Sequence, residues 1–171
     1  MKKKTITILL IIGVIFSILV SFILGFLLGV RYVRKENEQV RESLQDEMRQ
    51  GNGVLLKITM QSTMSEGENE GPDIFLIITV EYSGYTYLTD DKHHNSIVKM
   101  EDEDLLNIYS FCKNAYENGT FDDYSESILD GSTYTYTFYD KDGTEHIIYD
   151  GYCYNNSELK GLREMIQSHY E

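Results

Sequence analysis

The sequence predicts an α+β protein: an N-terminal transmembrane helix and helical stalk, then an antiparallel sheet built of hairpins with two helices packed on one face. Three observations carry this. Thr5 to Val30 is a run of 26 uncharged residues dominated by Ile, Leu, Val and Phe. The next stretch, "RYVRKENEQVRESLQDEMRQ", is free of Gly and Pro and rich in helix formers. Beyond "GNG" at 51–53, short apolar alternations are broken by Gly-bearing turns, and helical spacing returns twice.

A bilayer core of about 30 Å needs roughly 20 apolar residues in a helix, so the first run is long enough to span it. A cleaved secretory signal would also open with residues like "MKKK", but its apolar region is about 7 to 15 residues long and ends at a small-residue cleavage site. This run is longer and lacks the site, and the only cysteines, Cys112 and Cys153, lie too far along for lipoprotein processing. The reading is an uncleaved single-pass anchor in the cell membrane. Residues 1–4 form a basic cytoplasmic tail, 5–30 the span, 31–50 the stalk and 51–171 an extracytoplasmic domain.

The flanking charges leave orientation nearly balanced, with Lys2, Lys3 and Lys4 before the span and Arg31, Arg34 and Lys35 after it. Two considerations favour placing the domain outside. All 28 Asp and Glu lie beyond residue 30, against 12 of the 15 Lys and Arg, and a potential negative inside favours moving such a segment outward. The basic start followed at once by a long apolar run also resembles that of bacterial signal-anchored proteins.

Within the span, Gly13, Ser17, Ser21, Gly25 and Gly29 recur at every fourth position. Small residues at that spacing let a second helix backbone approach closely. Each step drifts about 40° around the axis, which limits one crossing to two or three members. Ser21, Gly25 and Gly29 are the candidates for packing against another copy or a membrane-protein partner. Gly is also common in spanning helices that face lipid, so the spacing leaves both readings open. In the stalk, Val33, Val40, Leu44 and Met48 form a thin apolar line of barely two heptads, short of the three or four that identify a coiled coil. A solvated stalk is expected.

In the domain, Val54, Leu56, Ile58 and Met60 alternate as in a half-buried strand, and "SEGENEGPD" at 65–73 reads as an exposed loop. "IFLIITVEYSGYTYLTD" is a hairpin turning at Ser83-Gly84, and "SIVKM" a further short strand. Leu105, Leu106, Ile108, Tyr109, Cys112, Ala115 and Tyr116 recur at helical spacing behind "EDED", with Gly119 closing the helix. A second hairpin turns at "DKDG", and a last helix starts near Asn156 or Ser157 with Leu159, Leu162, Met165 and Ile166 on its apolar side.

The acidic balance excludes nucleic acid, whose binding draws on clustered Lys and Arg. Candidate chemistry is sparse. In "DDKHH", Asp90, Asp91, His93 and His94 are metal-ligand types, but adjacent histidines on a strand point to opposite faces, and an exposed loop is the expectation. "DKDG" opens like a calcium loop, yet Thr144 and Gly151 stand where that pattern needs ligands, so a turn is expected. Cys112 with His146 suggests a thiol nucleophile only if Cys112 leaves the apolar register of its helix. Cys112 and Cys153 can pair if the domain is exported, and the sequence leaves that open. Tyr85, Tyr87, Tyr134 and Tyr136 occupy alternating strand positions. On a sheet face left open by the helices they would form an aromatic surface suited to peptides or glycans; otherwise they are core and cross-strand pairs.

Over "VKMEDEDLLNIYSFCKNAYENGTFDDY" and "DGSTYTYTFYDKDGTEHIIYDGYCYNNSELKGLREMI" the chain resembles small uncharacterised α+β domains appended to bacterial lipoproteins and membrane anchors. The resemblance implies the fold class and a cell-surface setting. It brings no catalytic signature, and the lipoprotein anchor cysteine is missing. The expected function is a binding or interaction module on a membrane anchor, with ligand unknown and no cofactor. The alternative is an extracytoplasmic enzyme or metal-binding domain that uses the His93/His94 loop or Cys112.

Overall fold

The computed structural model describes residues 2–62, 74–92, 94–127 and 131–170, and within helix and strand omits the side chains of 2–20, 22–24, 27, 28 and 62. The elements follow the expected order: α1 (Lys2–Gln50), β1 (Val54–Ser62), β2 (Ile74–Glu81), β3 (Tyr85–Asp90), β4 (Asn95–Lys99), α2 (Asp102–Asn118), β5 (Ser132–Tyr139), β6 (Glu145–Gly151), α3 (Ser157–Gln167) and a 3-10 turn at Ser168–Tyr170. Among the described residues no helix is long and apolar enough to cross a membrane. Most side chains of the apolar run on which the transmembrane expectation rests are not described, and the 65–73 loop lies outside the described residues.

The chain divides into the units Met1–Ser43 and Leu44–Glu171. The first is helical. The second begins within α1, seven residues before the boundary expected at 51, because Met48 is part of the domain's core and Leu44 packs against it. Two of the four residues in the thin apolar line, Leu44 and Met48, therefore belong to this unit.

One six-stranded antiparallel sheet, ordered β4-β3-β2-β1-β5-β6, forms the domain. A meander runs from β1 out to β4, α2 returns the chain, and the β5–β6 hairpin adds to the other side of β1. Cross-strand partners share a face, so one row reads Leu88, Ile78, Ile58, Tyr136, Tyr149 and the next Thr86, Val80, Leu56, Phe138, His146. Both helices cover this face. From α2, Tyr109 lies edge-on to Phe138 with centroids 6.1 Å apart; from α3, the Leu159 carbonyl accepts the Tyr136 hydroxyl at 3.0 Å. The register shifts between Val54 and Leu56 and beside Tyr136, and these bulges let the neighbours Leu55 and Leu56, and Ile148 and Tyr149, be buried together.

The caps are those the sequence supplies. Asn156 accepts the Glu158 and Leu159 amides at 3.1 and 3.0 Å, and Gly119 ends α2 in the left-handed conformation at φ 57°. At the joint between α1 and β1, Gly51 serves by its size. A Cβ there would lie 2.3 Å from the Tyr82 ring. That ring is fixed, since it is buried beside Tyr109 and its hydroxyl donates to the Tyr139 carbonyl at 2.8 Å. Gly51→Ala is expected to destabilise the domain by about 1–3 kcal/mol through this overlap, whereas Gly161→Ala, with nothing within 4 Å, should stabilise α3 by up to about 1 kcal/mol. Urea unfolding of the two variants measures the contrast.

Candidate functional site

Strand alternation sends every second side chain away from the helices. The face they leave is crossed by the row Ile97, Tyr87, Thr79, Lys57, Thr137, Ile147. Beside it runs Asn95, Thr89, Ile77, Thr59, Thr135, Asp150. This is the candidate binding face: threonines interrupted by Lys57 and Ile77, with Ile97 60% and Ile147 62% exposed at the ends of the first row, Thr59, Thr79 and Thr135 half-buried, and Thr137 6% exposed. Its outer hydroxyls are oriented across the strands, Thr89 Oγ1 donating to Asn95 Oδ1 at 2.7 Å and Thr135 Oγ1 to Asp150 Oδ1 at 2.8 Å.

Aromatic groups on this face are held by their neighbours. Lys99 Nζ sits 4.8 Å from the Tyr85 ring centroid. Partial desolvation, with Glu81 accepting its hydroxyl, pushes the Tyr87 phenol up. The four tyrosines of the expected aromatic surface do not share a face. Tyr85 and Tyr87 are on the open side, while Tyr134, 8% exposed, and Tyr136, 0% exposed, point into the core. Each pair alternates as expected within its own strand, but the pairing of β1 with β2 and β5 places Thr79 and Thr137, not Tyr136, in line with Tyr87.

Sequence reasoning missed a second polar feature, a cleft of about 190 Å³ where the end of α1, α2 and the β5–β6 turn meet. The Lys113 ammonium donates to Glu47 and lies 3.7 Å from Glu117. The Lys113 hydrogen bond holds the Glu47 carboxyl below its ordinary value. Across the cleft, Asp140 Oδ1 accepts the Asp142 and Thr144 amides, each at 2.9 Å, and Oδ2 meets His146 Nε2 at 3.1 Å. These bonds, led by the Thr144 amide, keep Asp140 low as well. His146 in turn stacks on Tyr116 with centroids 3.9 Å apart. Glu47 was hidden from sequence because it stood in an apparent stalk, and Lys113 because a lone cation in a helix has no signature.

The remaining candidates have structural positions. Asp90 repeats the Asp140 device, Oδ1 accepting the Lys92 and His94 amides at 3.0 and 2.8 Å and Oδ2 meeting His94 Nδ1 at 3.0 Å. Its carboxylate organises the turn; Asp91 is exposed, and His93 lies outside the described residues. "DKDG" is likewise a turn, the Gly143 amide donating to the Asp140 carbonyl at 2.9 Å. Among the described residues no group of three or more His, Cys, Asp or Glu is placed to hold a metal ion. Cys112 and Cys153 are buried free thiols, and burial pushes both up. The pairing left open by the sequence is not made. Cys112 is on the buried side of α2, away from the thiolate character that nucleophilic attack requires. Ser21, Gly25 and Gly29 are exposed on α1, and a Cβ at either glycine would meet nothing within 4 Å.

Two measurements test these placements. Tyr136→Ala should cost about 3–5 kcal/mol, as for other large buried residues, and Tyr85→Ala less than about 1 kcal/mol. Equal losses would mean the faces are assigned wrongly. Because the folded-state Glu47 value lies below the unfolded one, its contribution is complete above the ordinary carboxylate range and disappears as pH falls through the folded value. Glu47→Gln should therefore lower stability at pH 7 and make the loss below about pH 4 shallower, read from denaturation midpoints across that range.

No family model, curated protein or solved structure matches this chain, so its geometry alone carries the functional reading.

Proposed function

We propose that this chain is a single-pass membrane protein with a cytoplasmic N-terminus, and that it holds its domain outside the cytoplasm as a binding module. The anchoring rests on the 26 uncharged residues from Thr5 to Val30, more than the roughly 20 that span a bilayer core. The binding reading rests on one observation: a six-stranded sheet with helices on one face only. The other face presents Tyr85, Ile97 and Ile147 to solvent beside its threonines. Threonine hydroxyls and tyrosine rings suit a neutral glycan, because a sugar offers hydroxyls at its edge and apolar C–H groups on its faces. The catalytic alternative has less support, since Cys112 is sealed in the core and His94 is bonded to a turn-forming aspartate.

Protease added outside intact cells should remove the chain beyond residue 50, and alkaline carbonate should leave the rest in the membrane. Survival of the domain until permeabilisation would reverse the orientation. Titration of the detergent-solubilised full chain with a neutral N-acetylated oligosaccharide, followed by tyrosine fluorescence, should saturate. Tyr85→Ser with Tyr87→Ser should weaken that binding about tenfold, equivalent to about 1.4 kcal/mol. A wild-type response that is absent, or unchanged in the double variant, would remove the glycan reading; saturation by a neutral extended peptide instead would change the ligand class.

A further inference from the structure

In the unit Met1–Ser43, α1 carries Phe26, Val30, Val33 and Val40, each more than half exposed. With Asn37 between the last two, the spacing alternates four and three residues from 26 to 40. That alternation is the inward seam of a heptad, with Val30 and Asn37 at a positions and Phe26, Val33 and Val40 at d. A shallow groove overlaps this side, lined by Phe26, Gly29, Val30, Val33 and Asn37 with charged residues along one edge. The seam ends at Val40, because the next position in register, Leu44, packs on the domain's own core.

The geometry points to a second copy of this chain as what covers the seam, in a parallel, in-register, two-stranded coiled coil. Three features select that occupant. Asn37 at an a position meets Asn37 of an identical helix at the same level, an arrangement that specifies two strands and fixes register. Glu36 at g faces position 41 at e of the other helix, and Arg41 stands there, so each dimer gains the same opposite-charge pair twice. An antiparallel pair would set Arg34 against Arg41, like charge against like. The segment 31–50 also carries five basic and five acidic residues, so two such helices lie together without the net repulsion that the acidic domain would impose.

With the span proposed above, Phe26 and Val30 lie within the bilayer and only Val33, Asn37 and Val40 project beyond it, so the seam associates weakly by itself. Confinement in the shared membrane supplies the effective concentration it needs. The seam only partly overlaps the small-residue face: Ser21 and Gly25 lie about 140° and about 100° around the helix from its middle, while Gly29 is about 60° away and borders the same groove.

Cysteine cross-linking of the full chain in its native membranes tests the pairing, since Cys112 and Cys153 are fully buried and silent to a mild oxidant. Val40→Cys, on the seam, should give a disulfide-linked dimer, and Glu42→Cys, at the outward f position, should not. Adding Glu36→Arg to Val40→Cys should cut the dimer several-fold, and further adding Arg41→Glu should restore it. No dimer at position 40, equal dimer at 40 and 42, or a charge swap without rescue would each overturn the inference. A carbonate wash of the same membranes reads the anchoring separately. Release of the chain defeats the anchoring reading and leaves the cross-linking pattern to decide the pairing; retention without cross-linking at 40 defeats the pairing alone.

Discussion

The pairing register of β1 is the constraint on which the rest of the domain depends. As the strand between β2 and β5, it fixes which residue of each outer strand falls in line with Leu56, Ile58 and Met60. A slip of one residue against either neighbour would exchange the two faces of that half of the sheet. Tyr136 and Phe138 would then meet water, and Thr135 and Thr137 would meet the helices. Both helices, the core hydroxyl bond from Tyr136 to Leu159 and the threonine-bearing face away from the helices follow from one alignment.

The polar network follows from the same alignment. Phe138 and His146 are partners across β5 and β6 on the covered face, which brings His146 under Tyr116 of α2 and over the Asp140 turn. Lys113, one turn before Glu117 on α2, then reaches Glu47. These groups pair with one another at the rim of the core, where a lone charge would be penalised by desolvation. They tie the last turns of α1, α2 and the β5–β6 hairpin together. Asp90 and Asp140 show one device used twice: each closes its hairpin by accepting two amides beyond it, and each turns its second oxygen to a histidine.

Along α1 the apolar positions serve two ends. Met48 and Leu44 belong to the domain, while Phe26, Val30, Val33 and Val40 remain exposed. A single periodic line in the sequence is thus divided between a core and a seam.

Much of the fold was legible in the sequence because its signals are local. Alternation in Leu56, Ile58 and Met60, the 3.6-residue spacing from Leu105 to Ala115, Asn156 as a cap and Gly119 as a helix end each act within a few residues of themselves. The uncharged run at 5–30 and the acidic remainder are equally local facts. What needed the tertiary structure was any relation between distant segments. Tyr85, Tyr87, Tyr134 and Tyr136 look alike in strand position, and only pairing through β1 sends the first two to the open face and the last two into the core. Where the compact domain begins along α1 was decided in the same way, by the contact of Glu47 with Lys113, 66 positions away, and by the burial of Met48 in the core. The side-chain period of a strand is two, so alternation states that two faces exist; it takes a partner strand to say which face is which.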